Sequence, residues 1–318
     1  MGRSDKSAPG EVEMGGKRVC VTVPASIGNV GSGFDCAGLS LKFYNRFLVE
    51  RSREDCMKFL YNGSRTAESK TLSLFMKAFN AGLGHLGEKP FHAGVEVVNR
   101  IPFRRGFGSS GTVILAGIIS AFAYCGHRIR RHDILDIAVP IEGHADNLAA
   151  SLYGGFVLSS LQEGGSTRVV SVPVGDELRV VSLIPAEGLS TSDARRVLPE
   201  KVEMQDAVFN LSRIGFLCMS FALKDASLLG HGLRDILHQP YRSRLMPHLE
   251  ELLSYDAGGR VLGACLSGAG PSVAFFTLKG HEKQVARDIE RKAFEMGVKG
   301  CVRIFRPGGM TSWKVSCQ

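Results

Sequence analysis

Residues 101 to 112 read Ile101-Pro102-Phe103-Arg104-Arg105-Gly106-Phe107-Gly108-Ser109-Ser110-Gly111-Thr112. Alternation at Val95, Val97, Asn99 and Ile101 reads as a strand leading in, and the apolar run Val113 to Cys125 as a helix leading out. Glycines and serines therefore sit at a helix N-terminus, where unpaired N–H groups and the positive end of the dipole favour an anion. Glycines allow close approach of backbone, and hydroxyls add donors or a metal ligand. The chemistry indicated is the holding of phosphate. The segment is not a lysine-bearing P-loop, because no Gly-x-x-x-x-Gly-Lys occurs; Gly106-Phe107-Gly108-Ser109-Ser110-Gly111 has the Gly-x-Gly-x-x-Gly spacing, which alone does not establish a dinucleotide site. An ordinary turn with Ser109 as the helix N-cap fits the same residues.

A second cluster is Glu142-Gly143-His144-Ala145-Asp146-Asn147. So many polar groups between apolar segments are costly to bury without a purpose. A carboxylate here and the Ser110 hydroxyl could share an octahedral Mg²⁺ with nucleotide phosphates. Alternatively, Asp146 caps a helix and His144 is a satisfied turn histidine. Asn29 and Asp35 belong to the glycine-rich turn Ala25–Asp35, as turn formers or as partners of a substrate ammonium. Arg195 and Arg242, both expected near helix starts, could grip a carboxylate bidentately.

The elements that must place these groups follow from periodicity. Val19, Val21 and Val23 mark a strand, and Leu41, Phe43 and Phe47 a second. Leu72, Phe75, Met76, Phe79 and Leu83 define an amphipathic helix, which Gly82 and Gly84 are expected to close. Another helix around Ile134 to Ala138 is expected to break at Pro140. A strand at 156–161 precedes the polar stretch Gln162–Thr167, taken as the domain boundary. Strands at 168–174 and 178–184, a capped short helix from Ser190, and helices at 206–223 and 242–253 follow. Val261–Leu266 and Val273–Leu278 flank the sharp loop Ser267-Gly268-Ala269-Gly270-Pro271-Ser272. A helix at 281–296 and a last strand at 302–305 complete the pattern. The expected organisation is a loose tail (1–16), an N-terminal domain (17–165) and a C-terminal domain (166–318).

The 318 residues are 44% hydrophobic and 22% charged, as in a packed globular protein. The uncharged stretch Gly106–Gly126 has a strongly apolar part of about 13 residues, too short to span a bilayer. The polar N-terminus reads as neither signal nor transit peptide. Eight cysteines stand singly, without Cys-x-x-Cys, which points to thiols in a reducing cytoplasm. The net charge of +8 comes from dispersed residues and suits an anionic small substrate as well as nucleic acid.

Three segments, 24–38, 102–112 and 267–272, resemble in type and order the three motifs of the GHMP small-molecule kinases. Pro24-Ala25-Ser26 with Asn29 and Gly33-Phe34-Asp35-Cys36-Ala37-Gly38-Leu39 is similar to the start of the homoserine kinase family. So are Glu142 to Asn147 with Tyr153-Gly154-Gly155, Thr191-Ser192-Asp193-Ala194-Arg195, and His238-Gln239-Pro240-Tyr241-Arg242. The resemblance implies a two-domain α+β fold, ribosomal-S5-domain-2-like then ferredoxin-like. It implies ATP-dependent phosphorylation of the L-homoserine hydroxyl, a step of threonine synthesis, in the cytoplasm. By it, Pro102 to Thr112 bind ATP phosphates, and Ser110 and Glu142 hold Mg²⁺. Asn29, Asp35, His144, Arg195 and Arg242 line the homoserine site, with Thr191 and Asn147 close to the reacting groups. Asp146 is the one carboxylate there that could act as a base; otherwise the hydroxyl proton goes to the phosphate. Family habit suggests a homodimer, with no nucleic acid or membrane partner. Gly111-Thr112 replaces a usual Ala-Ala, Ala149-Ala150 a usual Ala-Pro, and Phe107 a usual leucine; none of these removes a functional group.

Overall fold

Val19, Val21 and Val23 point inward from β1 (Lys17–Gly28), and Leu41 and Phe47 do so from β2 (Ala37–Arg51). The computed structural model describes residues 16–61 and 65–317; the expected tail lies outside them except for Gly16. There follow β3 (Cys56–Tyr61), α1 (Arg65–Leu86), β4 (Ala93–Val98), α2 (Ser109–Cys125), α3 (Arg131–Glu142), α4 (Asp146–Tyr153) and β5 (Phe156–Leu161). After β5 come β6 (Thr167–Val172), β7 (Leu178–Pro185), α5 (Thr191–Arg196), α6 (Met204–Leu223), α7 (Leu229–Gly232), α8 (Gln239–Arg242) and α9 (Leu249–Leu253). The chain ends with β8 (Gly263–Leu266), β9 (Val273–Leu278), α10 (Glu282–Glu295), β10 (Gly300–Phe305) and β11 (Ser312–Cys317).

Two sheets organise the chain as an α+β protein. One runs β11-β1-β2-β4-β3, with β5 joining the far end of β2 and β6 joining β5. The other is β10-β7-β9-β8. Phe47, Phe75, Phe79, Ile114, Ile118 and Leu148 fill a core between the first sheet and helices α1 to α4. The second sheet packs Val181, Leu183 and Phe275 against Val285 and Ile289 of α10. Helix α2 is buried from Gly111 to Ala123, which explains an apolar run with no polar face.

Several sequence expectations are corrected here. Gln162–Thr167 is the turn of the β5–β6 hairpin, with Gln162 N–H donating to Ser166 O at 2.8 Å, so a break between residues 165 and 166 cuts a hairpin. The chain also makes two strands that were not expected: β3, which pairs in parallel with β4, and β11, which returns to pair with β1 and brings Cys317 opposite Lys17. Thus residues from the far end complete the first sheet. Helix α3 runs through Pro140 to Glu142, where Gly143 closes it at φ 94° by donating to Val139 O. A proline so near a helix end removes only one backbone bond. The expected helix over 242–253 is two short ones, α8 and α9, on either side of Pro247.

Helix α1 also continues past Gly82 and Gly84 to Leu86. Gly82 is a contact point, because a Cβ there would stand 2.9 Å from Ala121 Cβ and 3.3 Å from Ile118 O of α2. Gly84 faces open space. The two positions should therefore respond oppositely to alanine. Gly84→Ala is expected to stabilise by about 0.5–1 kcal/mol through helix propensity. Gly82→Ala should destabilise by about 1–3 kcal/mol through overpacking. Urea unfolding midpoints of the two variants check this; a shift of the same sign in both would refute it.

Candidate active site

The approach to residues 101–112 is held by a side chain that no sequence motif marks. β4 stops at Val98, short of the alternation through Ile101. Asn45 of β2 takes over: its Oδ1 accepts Arg100 N–H at 2.8 Å and Ile101 N–H at 3.0 Å, and its Nδ2 donates to Thr112 Oγ1 at 3.2 Å. Both flanks of the loop are thus tied to one buried amide. Gly108 is the residue before the helix, left-handed at φ 65°, with no side-chain cap. Ser109 is therefore the first helical residue and not the N-cap. Its Oγ is buried without a hydrogen-bond partner among the described residues. The first N–H groups of α2 are free of intrahelical bonds, the ordinary condition of a helix start. Side chains are excluded by contact: a Cβ on Gly108 would stand 2.5 Å from Ser26 Oγ, and one on Gly106 1.8 Å from Ser267 O.

One cleft of about 270 Å³ is bordered by Asn29, Pro102 to Ser110, Glu142, His144, Asn147, Thr191, Arg195 and Arg242. Four of the sequence candidates do not border it. Gly111 sits against Leu148, and Thr112 is buried with its hydroxyl donating to Ser109 O at 2.8 Å. Asp146 is fully buried behind the wall, and Asp35, about a third exposed, stands at its edge, paired with the bordering Arg195. Arg105 borders the cleft, but its N–H groups are engaged elsewhere: Nε donates to Pro185 O at 2.8 Å, and Nη2 to Ala186 O. It latches the loop to the second domain. Lys70, Thr71 and Leu74 of α1, with Val113 of α2, Leu189 and Gly268 to Gly270, complete the border. The apolar stripe of α1 reads as core alone; Lys70 and Leu74, four residues apart, mark a second face.

Beneath the cleft runs a chain of polar contacts. Ser110 Oγ donates to Glu142 Oε1 at 2.5 Å. His144 Nε2 lies 3.9 Å from the same carboxylate, and its Nδ1 2.5 Å from Asp146 Oδ1. Asp146 Oδ2 accepts Asn29 N–H at 2.8 Å, and Asn29 Oδ1 accepts Asp35 N–H at 2.8 Å. Asn147 Oδ1 accepts from Ser26 Oγ at 3.0 Å. Burial pushes the Glu142 carboxyl up, against the Ser110 bond. Burial opposes the Asp146 charge, but His144 and the Asn147 and Asn29 N–H groups outweigh it and hold that carboxyl below its usual range. For His144, burial is outweighed by Asp146 and Glu142, so the imidazole lies above its usual value. The Asp146 side chain is fully buried, which keeps it from a proton of any molecule in the cleft.

At the other end, Arg195 and Asp35 form a two-point pair, Nη1 to Oδ2 at 2.9 Å and Nη2 to Oδ1 at 2.7 Å. Arg242 is 1% exposed, and burial lowers its pKa to about 10. Both arginines lie at helix ends, in the last turn of α5 and as the last residue of α8, and not at helix starts. The cleft thus has a helix-start loop with a hydroxyl–carboxylate pair on one side, and two guanidinium groups, one of them paired with Asp35, on the other.

Such a cleft between an S5-like and a ferredoxin-like half is that of a small-molecule kinase. Residues 69–155 match the GHMP kinases N terminal domain, and residues 220–295 match GHMP kinases C terminal. A homoserine kinase of Carboxydothermus hydrogenoformans is 34% identical over 290 residues, covering 91% of this chain and 94% of the relative. One of Aquifex aeolicus is 38% identical over 266 residues, covering 83% and 88%. The crystal structure of homoserine kinase from Cytophaga hutchinsonii superposes with a TM-score of 0.81 at 24% identity, over 98% of this chain and 100% of that one. That of Methanococcus jannaschii mevalonate kinase gives 0.62 at 14%, over 92% and 98%, so the fold is shared beyond one substrate. The chain belongs to the GHMP kinases and, within them, to the homoserine kinase family.

The floor of the cleft leaves no room at Gly28, where a Cβ would stand 2.2 Å from Asp146 Oδ2 and 2.3 Å from Asn147 Nδ2. Gly28→Ala is expected to cost about 1–3 kcal/mol of stability by forcing that network apart. Urea denaturation checks it, and a midpoint equal to wild type would contradict the close approach.

Proposed function

We propose that the chain transfers the γ-phosphoryl group of ATP to the side-chain hydroxyl of L-homoserine, giving O-phospho-L-homoserine and ADP. The observation that carries this reading is the pairing, in one cleft, of an amide-rich loop at residues 102–110 with receptors for a zwitterion. Relatives bearing the homoserine kinase name, alike over most of both chains, support it.

The free N–H groups at the start of α2 and the partnerless Ser109 hydroxyl receive phosphate oxygens. Ser110 and Glu142 fit Mg²⁺: a hydroxyl and a carboxylate 2.5 Å apart suit an ion that keeps water and phosphate oxygens as its other ligands. Among the described residues no group of three or more His, Cys, Asp or Glu side chains forms a fuller cage. When bound, the ion supplies charge neutralisation at the phosphates.

Asp35 receives the substrate ammonium, and Arg195 and Arg242 its carboxylate. Asn29 and His144 frame the amino acid, and Asn147 and Thr191 lie beside the hydroxyl. The hydroxyl oxygen forms the new bond to phosphorus as the bond from the γ-phosphorus to the bridging oxygen breaks. Asp146 is not the base, since both its oxygens are engaged behind the wall. The hydroxyl proton leaves with the phosphoryl group, which a loose transition state permits. The reading needs neither nucleic acid nor membrane, and its compartment is the cytoplasm. A homodimer is supported by the outer face of α6, where Met204, Val208, Leu211 and Leu223 are exposed.

Coupled measurement of ADP release with L-homoserine, mevalonate and galactose tests the function. Stimulation by homoserine is expected; none would end the reading. Ser110→Ala and Glu142→Gln should each lower kcat/KM by about 100-fold with little change in melting temperature. Chelation of Mg²⁺ should abolish turnover reversibly. Equal loss of stability and activity in the two variants would count against their place in the chemistry.

A further inference from the structure

Arg242 reaches the cleft from a buried position, so something must aim it. Its Nε donates to Ala194 O at 3.3 Å. Its Nη1 donates to Gly268 O at 3.1 Å and lies 3.0 Å from His238 Nδ1. Its Nη2 has no hydrogen-bond partner among the described residues and is the donor left for a ligand. His238 sits one helical turn earlier and is fully buried. The Nε2 of His238 lies 2.8 Å from Gly31 O, which only accepts, so Nε2 carries the hydrogen and Nδ1 presents a lone pair. Arginine only donates, and this tautomer gives it an acceptor.

The imidazole has little freedom to do otherwise. Phe34 stacks on it with ring centroids 5.4 Å apart and planes at 27°. The same phenyl ring carries the Arg242 and Arg195 guanidinium groups at 5.5 and 5.8 Å. Asp235 Oδ2 is 3.5 Å from Nε2, but it already accepts the N–H groups of His238 and Gln239 at 3.0 and 2.8 Å. Burial lowers the His238 pKa, against Asp235 and together with Arg242, so the ring stays neutral.

We propose that His238 is a positioning residue for the reaction: as a neutral acceptor it fixes Arg242 with Nη2 toward the carboxylate of the amino-acid substrate. This rests on the homoserine reading above. His238→Gln keeps a donor near Gly31 O and removes the acceptor from Arg242. His238→Asn keeps an acceptor near the place of Nδ1. Steady-state kinetics on L-homoserine and on 3-aminopropan-1-ol, which is homoserine without its carboxylate, separate the roles. His238→Gln should raise KM for homoserine by about tenfold or more, the usual scale for a hydrogen bond to a charged group. KM for ATP and kcat/KM for the aminoalcohol should not move, and His238→Asn should restore most of the homoserine KM. Equal losses on both alcohols, or none, would overturn the proposal. Nitrogen NMR of wild-type His238 gives a measurement independent of how the variants fold. A neutral Nε2–H ring is expected, and a charged ring or a protonated Nδ1 would overturn it. Wild-type enzyme inert toward homoserine would remove function and inference together; normal turnover with an unchanged His238→Gln would remove the inference alone.

Discussion

A carboxylate sealed from solvent fixes the geometry of the cleft. Asp146 begins α4, and from that point it holds the left-handed backbone of Asn29 after β1 and the ring of His144 after α3. Three separate segments therefore meet at two oxygen atoms. A buried charge of this kind is tolerable only when fully hydrogen-bonded, and breaking such a set leaves an uncompensated ion. That asymmetry makes the arrangement rigid: each segment can move only if the others lose a partner. His144 passes the constraint on to Glu142, which meets Ser110 at the first turn of α2. The proposed metal ligands and the proposed amino-acid site are thus one connected object.

The second domain is joined to this object by several contacts whose acceptors are backbone carbonyls. Gly268 N–H donates to Gly28 O at 3.0 Å, and Ser267 Oγ donates to Gly106 O at 2.8 Å. Leu189 N–H donates to Arg104 O, and Arg105 reaches Pro185 and Ala186. Glycine at 106 and 108 is required because carbonyl, hydroxyl and amide oxygens occupy the space of a side chain. The glycine spacing therefore has two causes, the ligand side and the protein side of the same loop.

The loops were legible in the sequence because their composition is unusual: glycine, serine and acidic residues set between apolar runs are poor at packing and good at binding. The strand-to-helix setting of residues 101–112 followed from a change of period from 2 to 3.6. Other features left no local trace. β11 is largely exposed and carries Lys314, so it shows little alternation, and its place is set by a partner 300 residues away. Asn45 and His238 act through contacts across the fold, Asn45 to Arg100, Ile101 and Thr112, His238 to Gly31. Gly82 and Pro140 carry helix-ending signals that packing and position override. Arg105 reads as a phosphate ligand by its neighbours and turns out to face carbonyls.

The two arginines illustrate how one charge type serves two purposes. Arg195 and Asp35 are about a third exposed, and an ion pair in that setting is worth little net. A zwitterion offers the same two charges, so it can replace the pair's mutual contacts with contacts to itself at small cost. Arg242 is different: it is already desolvated, with carbonyls and an imidazole in place of water. A carboxylate arriving at Arg242 gains a low-dielectric partner without further ordering of that side chain. On the proposed reading, discrimination for an amino acid over a neutral alcohol rests on the buried arginine, while entry and release rest on the exchangeable one.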